Sequence, residues 1–426
     1  MDINNEEILE RAVLIGLDAD TNTEAEAVSE SSMDELSELL RTAGGTEVAR
    51  VIQHRKFPEP KTLIGAGKAS EIAEFISAND VSLAVFDNEL SPAQTKNLED
   101  LLGVRVVDRS TLILDIFASR AASHEGRLQV ELAQYKYLLP RLTGSFSALS
   151  RLGGGIGTRG PGETKLETDR RHIRRRISKL EDELDTVMRV RSEQRRARTK
   201  REVPLVALIG YTNAGKSTLL NKLTDSDIHA ENRLFDTLDP TARKFRISDT
   251  AEVVLSDTVG FIRKLPHHLT RAFRATLEEL LYADLLLHVV DVSNPEWPEH
   301  GRVVLDVIKG LGAECTPCLT VFNKCDLVCT RELFENDPDS VCVSAKTGEG
   351  FDELKKEICR MLSLSSRKAE LMIPYPKSQL LDVLHREAKV LSEEYGNDGI
   401  AVSAVLSDRV YGKIMHELTG DINDSI

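Results

Sequence analysis

A glycine-rich turn between an apolar strand and a helix is the strongest constraint on the fold of this chain. The segment Gly210–Ser217 reads G-x-x-x-x-G-K-S and directly follows the apolar run Leu205–Ile209. In such a turn, backbone N–H groups surround phosphates, the lysine reaches the β- and γ-phosphates, and the serine hydroxyl binds Mg²⁺. With glycine at about 7% of residues, chance gives this pattern in only about one or two chains per hundred. The turn therefore predicts a phosphate-binding loop rather than an ordinary strand-turn-helix corner.

A second motif lies at the end of another predicted strand. Asp257-Thr-Val-Gly260 follows Val253–Ser256 and begins 40 residues after Ser217. At a strand end, the Asp257 carboxylate can hold a metal through water, and the Gly260 N–H can reach a γ-phosphate. The tetrapeptide alone is as often a plain turn, so its position is what makes it informative.

Two later motifs indicate which base is bound. Asn323-Lys324-Cys325-Asp326 follows an apolar strand, and Ser344-Ala345-Lys346 follows the next one. The Asp326 carboxylate can accept hydrogen bonds from N1–H and the 2-amino group of guanine, whereas adenine offers no such pair. We expect Asn323 to tie this loop to the phosphate loop, the Lys324 stem to cover the base, and residues 344–346 to place an N–H near guanine O6. The four motifs, in this order at strand ends, predict a site for GTP and GDP.

The rest of the chain divides into further regions. Strands and helices alternate from 33 to 107 and again from 205 to 362, which predicts α/β domains with mostly parallel sheets. Residues 365–426 are expected to hold a helix near 378–394, a strand near 400–406 and a helix near 407–417. We predict a small α/β domain at 1–120, an antiparallel helical hairpin at 121–201, a doubly wound P-loop GTP-binding domain at 202–364 and a small α/β domain at 365–426.

The predicted hairpin has an unusual charge. Helices at Ser123–Leu139 and Glu167–Arg198 carry apolar residues at heptad spacing, and Leu152–Glu163 between them holds six glycines and a proline. Residues 136–201 contain 18 Lys and Arg against 8 Asp and Glu, whereas residues 1–50 contain 3 against 13. A basic hairpin suits insertion into phosphate-rich RNA, and the alternative is a solvated coiled-coil face.

Composition excludes several classes of protein. The net charge of −14 argues against a DNA-coating protein. The apolar run Leu285–Val290 is far shorter than the roughly 20 residues of a membrane span, so we expect none. The six cysteines are irregularly spaced and the start of the chain does not read as a signal peptide, which is typical of a cytoplasmic protein with reduced thiols.

Several longer stretches resemble the HflX family of translation-factor-class GTPases, over about residues 45–365. Two of them follow the phosphate loop, at Leu234–Thr241 and Asp257–His268. The upstream stretches that carry the resemblance are Gly65–Lys68, Phe86–Gln94, Val107–Thr111 and Gly153–Glu163. The sequence departs from many relatives at Asp236, where they carry a small residue.

The resemblance implies a ribosomal role. It implies Thr237 as a second Mg²⁺ ligand beside Ser217, with Asp257 acting through water, and GTP-dependent binding to the large ribosomal subunit and its rRNA. It also implies a role in splitting or rescuing stalled or idle ribosomes under stress, to which family members are linked. A monomer associated peripherally with ribosomes or membranes is expected. The alternative is a GTPase switch that regulates a non-ribosomal protein or a membrane-associated partner.

The predicted nucleotide site therefore combines motif residues with those of the switch stretch. No catalytic side chain is assigned, because Phe261 occupies the position where Ras-like proteins carry the glutamine that orients water. The predicted nucleotide-binding residues are Gly210, Tyr211, Thr212, Asn213, Ala214, Gly215, Lys216, Ser217, Thr218, Phe235, Asp236, Thr237, Leu238, Asp239, Asp257, Thr258, Val259, Gly260, Asn323, Lys324, Cys325, Asp326, Ser344, Ala345 and Lys346.

Three other features invite a functional interpretation. Cys315 and Cys318 have the spacing of a redox motif but no second ligand pair nearby, so we expect ordinary cysteines. Gly65–Lys68 at a helix start could hold a phosphate or simply form a turn. His267 and His268 are expected to face solvent or a partner rather than to act in catalysis.

Overall fold

The structure is a computed structural model, and it describes eleven stretches of the chain. They contain no helix long and apolar enough to cross a membrane. The chain forms a first unit of Met1–Arg195, Glu231–Asp239 and Val259–Thr276, and a second unit of the remaining segments. The described residues are 10–21, 28–142, 161–199, 203–224, 234–235, 242–247, 251–264, 278–328, 338–362, 366–396 and 399–419.

A four-stranded parallel sheet forms the centre of the first unit, in the order β2-β1-β3-β4. The middle of the interior strand β1, residues 12–17, is apolar and buried, as expected for a parallel sheet covered on both faces. The alternation predicted for residues 33–107 is confirmed. The elements are β1 (Glu10–Ala19), α1 (Glu30–Thr42), β2 (Gly45–Arg55), α2 (Ala66–Ala78), β3 (Leu83–Phe86), α3 (Pro92–Leu102), β4 (Arg105–Asp108) and α4 (Arg109–Arg120).

Local capping explains where these helices begin. The Ser91 hydroxyl and the Gln94 side chain form a reciprocal capping box at the start of α3, with Pro92 in the first turn. Helix α4, which the sequence reasoning missed, starts where the Asp108 carboxylate accepts from the Thr111 N–H at 2.9 Å. The sequence signal for that start was the spacing of Asp108 and Thr111.

Two long helices complete the first unit, α5 (His124–Arg141) and α6 (Pro161–Thr199). They pack through Leu128, Leu132, Leu180 and Leu184, which confirms the contact predicted from heptad spacing. Helix α6 begins six residues earlier than the predicted Glu167. The predicted antiparallel direction of the pair stays a prediction. Residues 152–160 of the predicted glycine-rich loop lie outside the described residues, whereas its last three residues, 161–163, belong to α6, so the loop ends earlier than predicted.

The second unit contains a six-stranded sheet in the order β10-β9-β8-β5-β7-β6. All neighbours are parallel except β6, an unpredicted edge strand that pairs antiparallel with β7. Most of the predicted helix 270–281 lies outside the described residues. The elements are β5 (Leu205–Gly210), α7 (Lys216–Thr224), β6 (Ala242–Arg246), β7 (Glu252–Asp257), β8 (Leu285–Asp291), α8 (Trp297–Leu311), β9 (Cys318–Asn323), β10 (Ser340–Cys342) and α9 (Phe351–Met361).

The last part of the second unit is an antiparallel sheet in the order β11-β13-β12. The helix predicted over 378–394 is wrong in its second half, because α10 ends at Glu387 and residues 389–395 form a strand. Pairing of that strand with β13 overrides the helix propensity of its glutamates. The elements are β11 (Ser366–Ile373), α10 (Gln379–Glu387), β12 (Lys389–Tyr395), β13 (Ile400–Ser407) and α11 (Asp408–Thr419).

Candidate functional site

The phosphate loop begins at the carboxyl end of β5, and β5 lies between β8 and β7 in the sheet. Open α/β sheets bind ligands at this kind of position. Two glycines fit only because they lack side chains. A Cβ at Gly210 would lie 2.3 Å from the Val289 carbonyl oxygen, and one at Gly215, whose φ is +92°, would lie 2.3 Å from Asn323 Nδ2.

The Lys216 side chain folds back onto the backbone of the phosphate loop. Its Nζ donates to the carbonyl oxygens of Gly210 at 3.1 Å and Tyr211 at 2.9 Å. Burial lowers the pKa of Lys216 to about 8, although the charge of Asp257 opposes the shift. The ammonium is therefore held by neutral carbonyls, which the charged oxygens of a phosphate can replace.

The two motif residues expected around a metal lie together. Ser217 Oγ donates to Asp257 Oδ2 at 2.7 Å, and Asp257 is fully buried. Beside it, the Thr258 hydroxyl donates to the Leu208 carbonyl at 2.6 Å and fixes the end of β7. A hydroxyl and a carboxylate at this separation form the hard oxygen donor set that Mg²⁺ prefers, so the residues present fit this ion.

One amide joins the base-recognition loop to two others. Asn323 Nδ2 donates to the Ala214 carbonyl at 2.8 Å, and Asn323 Oδ1 accepts from the Ala345 N–H at 2.9 Å. The structure thus shows the tie that was expected between Asn323 and the phosphate loop, and adds the third loop. Because Asn323 is buried, these hydrogen bonds fix the spacing of all three loops.

The remaining residues of the base-recognition loops differ in exposure. Asp326 and Lys346 are exposed, whereas Ser344 and Ala345 are buried. Lys324 adopts a left-handed backbone, with φ of 65°, and its Nζ lies 2.6 Å from Asp291 Oδ2. Sequence reasoning missed Asp291, although its place at the end of β8, beside Asn323 in the sheet, was a usable signal. The predicted contacts of Asp326 and Lys324 with guanine stay predictions.

The switch residues are only partly described. Asp236, Thr237, Leu238, Asp239, His267 and His268 lie outside the described residues. Phe235 is buried in the first unit, with its ring centroid 4.6 Å from that of Phe117. Val259, Gly260 and Phe261 also belong to the first unit, and Phe261 is buried. The nucleotide contacts predicted for Phe235, Val259 and Gly260 stay predictions.

A buried ion network in the first unit was not predicted. Asp87, directly after β3, lies 2.6 Å from Arg109 Nη1 and 2.5 Å from Lys264 Nζ. Arg109 Nη2 also lies 2.6 Å from Glu35 Oε2. Burial raises the pKa of Asp87, but the charges of Arg109 and Lys264 outweigh it and hold that pKa below its ordinary value. Lys264, near the end of the switch stretch, is thus anchored within the first unit.

The described residues of the other candidate features, the Cys315–Cys318 pair and the Gly65–Lys68 turn, have structural partners or surroundings that explain them without a ligand. In those parts of the chain, no three His, Cys, Asp or Glu side chains are grouped to hold a metal. Cys318 lies on β9, and burial raises its pKa to about 11, which disfavours a reactive thiolate. The Gly65 N–H at the start of α2 donates to Gln53 Oε1 at 2.9 Å, and Lys68 pairs with Glu71.

Comparison with protein families agrees with this site. Residues 205–324, which hold most of the nucleotide motifs, match the family described as 50S ribosome-binding GTPase. Residues 30–118 match the family described as GTP-binding GTPase N-terminal, and residues 120–198 match GTP-binding GTPase Middle Region. The three matches follow one another along the chain.

Whole-chain relatives carry one name. The chain is 48% identical to a GTPase HflX of Caldanaerobacter subterraneus, over 93% of this chain and 90% of the relative. It is 47% identical to a GTPase HflX of Lacrimispora saccharolytica, over 97% of each. A solved GTP-binding protein of Sulfolobus solfataricus in complex with GDP is 25% identical, with a TM-score of 0.44 over 83% of this chain and 99% of that one. The 48% and 47% identities to GTPase HflX, together with the motifs at its strand ends, show that the chain belongs to the HflX family of GTPases, P-loop proteins that bind and hydrolyse GTP.

Proposed function

We propose that GTP binding and hydrolysis control the attachment of this protein to the large ribosomal subunit, and that it splits, rescues or recycles ribosomes under stress. The observation that carries the proposal is a row of basic side chains on α6. Arg171, Arg174, Arg175 and Lys179 are all exposed. Cations along a helix attract the phosphates of rRNA. The similarity of residues 205–324 to a family described as ribosome-binding supports the same target.

The proposal includes a Mg²⁺ ion at the phosphates. Ser217 would hold it directly and Asp257 through water, as their hydroxyl and carboxylate oxygens suit. Thr237, outside the described residues, would be the second direct ligand. When bound, the ion neutralises charge on the β- and γ-phosphates. We place the protein in the cytoplasm, where ribosomes are found.

Slow intrinsic hydrolysis is part of the proposal. Phe261 stands where Ras-like proteins carry a water-positioning glutamine, and an apolar ring cannot do that work. We expect ribosomes to accelerate hydrolysis by ordering the switch stretches. Turnover of GTP by the purified protein, with and without large subunits, measures this effect. Equal rates would contradict it.

Co-sedimentation with purified large subunits tests the target. More protein is expected to pellet with a non-hydrolysable GTP analogue than with GDP. Raised salt should reduce pelleting in the analogue state. The double variant Arg171→Glu/Arg175→Glu should lose pelleting, because two exposed cations on one helical face become anions. Its control is Lys356→Glu/Lys413→Glu, which makes the same charge change at exposed lysines of the second unit. No pelleting in either nucleotide state would leave the GTPase intact but remove the ribosome as its target.

A further inference from the structure

Helix α8 touches two of the nucleotide loops through aromatic rings. The His300 ring stacks on the Tyr211 ring, with centroids 3.9 Å apart and planes 4° from parallel. One turn earlier on the same helix, the Trp297 ring meets the Phe322 ring edge-on at 5.6 Å. Tyr211 is the second residue of the phosphate loop, and Phe322 directly precedes Asn323 of the base-recognition loop. Side chains three apart share a helix face, so one face contacts the phosphate loop and the strand that leads into the base-recognition loop.

The backbone carbonyl of Tyr211 accepts two hydrogen bonds from other residues of the phosphate-loop motif. Its carbonyl accepts from the Ala214 N–H at 3.3 Å and from Lys216 Nζ at 2.9 Å. Its neighbour Gly210 lies against the Val289 carbonyl so closely that no Cβ would fit. Strand β8 thus limits the backbone at Gly210, and His300 stacks on the Tyr211 ring. A shift of Tyr211 would move one of the carbonyl oxygens to which Lys216 Nζ donates.

His300 lies in the first turn of α8, and little of its side chain is exposed. Its side chain is 14% exposed and its Nε2 lies 3.8 Å from Glu296 Oε2. Its backbone N–H donates to the Glu296 carbonyl at 3.0 Å in the first turn of α8. Further along the helix, Val304 and Ile308 are buried and anchor it. A ring presented by such an element restricts what stacks on it.

We infer that His300 is a positioning residue that sets the phosphate loop through Tyr211, and that Trp297 does the same for the base-recognition loop through Phe322. Helix α8 then braces both ends of the bound nucleotide. Neither side chain needs to touch GTP for this role. Removing either ring should weaken nucleotide binding, because the free protein must then order the loop when it binds. The effect of one aromatic pair is expected to be about two- to tenfold.

The two positions predict different losses. With His300→Ala, affinities for GDP, a GTP analogue and IDP should fall by one common factor of about two to ten, since all three carry the phosphates that Lys216 is expected to bind. Because IDP lacks the 2-amino group that Asp326 would read, the GDP-to-IDP preference reports on the base loop. That preference should stay unchanged in His300→Ala and fall about two- to tenfold in Trp297→Leu. His300→Phe keeps a flat ring and should recover most of the lost affinity.

Equilibrium titration of fluorescent GDP, with unlabelled competitors, measures these ratios, and thermal melting shows that each variant is folded. If His300→Ala does not fold, His300→Leu removes the flat ring with less loss of volume and carries the same expectation. Unchanged GDP affinity in the folded variant overturns the inference for His300. So does an equal change of base preference in both variants, or a failure of His300→Phe to recover binding, since either would mean a general structural role.

Discussion

The two mostly parallel sheets of the molecule each hold a buried charge at their carboxyl ends, and they do so in different ways. In the first unit, Asp87 is enclosed by Arg109 and Lys264, side chains of the same unit. In the second, Lys216 rests on neutral backbone carbonyls and Asp326 is exposed. The carboxyl edge of a parallel sheet is where charged residues collect in both cases. What differs is the partner, a permanent counter-ion in one sheet and a replaceable group in the other.

This difference separates stability from binding. A buried carboxylate with two cations costs little only while all members remain, because any one left alone is an uncompensated buried charge. A lysine on neutral carbonyls is less satisfied than it would be on phosphate, so a ligand gains by displacing them. We therefore expect substitutions at Asp326 or Lys216 to change ligand binding, and substitutions in the Asp87 network to change folding.

The largest effect is expected in the base-recognition loop of the second unit. Asp326→Asn should shift the preference between GDP and XDP towards XDP by about four orders of magnitude, because the site then pairs with the 2-oxo group of xanthine. Competition of unlabelled GDP and XDP against a fluorescent nucleotide measures the shift. Asp352→Asn, which removes the same charge from another exposed side chain, on α9 and outside the nucleotide motifs, is the control. A preference unchanged in Asp326→Asn would remove this residue from base recognition.

The second largest effect is expected in the ion network around Asp87, at the carboxyl end of the first sheet. Arg109→Leu leaves Asp87 and Glu35 buried without their guanidinium, so the free energy of unfolding of the first unit should fall by about 3–5 kcal/mol. Denaturant unfolding measures it, with Arg105→Leu as the control, since that side chain is 54% exposed and its ion pairs contribute little. Because the pKa of Asp87 is held below its ordinary value, its contribution is full at neutral pH and disappears as pH falls through the folded-state pKa. Equal losses in the two variants would contradict the account.

The smallest effect depends on pH. The pKa of Lys216 in the free protein is about 8, and bound phosphates should raise it. Below pH 8 the ammonium is already charged, whereas above pH 8 binding must take up a proton. Affinity for GDP should therefore weaken as pH rises above 8, by up to about tenfold per pH unit. Calorimetric titration in buffers of different ionisation enthalpy measures the proton uptake. Lys216→Arg stays charged and should show none, and uptake that persists in it would assign the proton to another group.

Sequence reasoning succeeded where a short segment encodes its own shape. The phosphate loop, Asp257 and Asn323 all lie at or directly after the end of an apolar strand, so the motifs predicted their positions in the sheet. It failed where distant segments meet. Asp87 and Lys264 are 177 positions apart, and no local pattern pairs them. The strand at 389–395 was missed for a different reason: it pairs with β13, the next strand along the chain, and that pairing overrides the helix propensity of its glutamates.

The most direct test of the central claim is calorimetric titration of a GTP analogue into the wild-type protein and into Lys216→Ala, with melting curves for both. The account predicts one analogue bound per wild-type chain and no measurable binding to the folded variant, because the phosphates lose their buried cation. A folded Lys216→Ala variant that bound one analogue with wild-type affinity would contradict it.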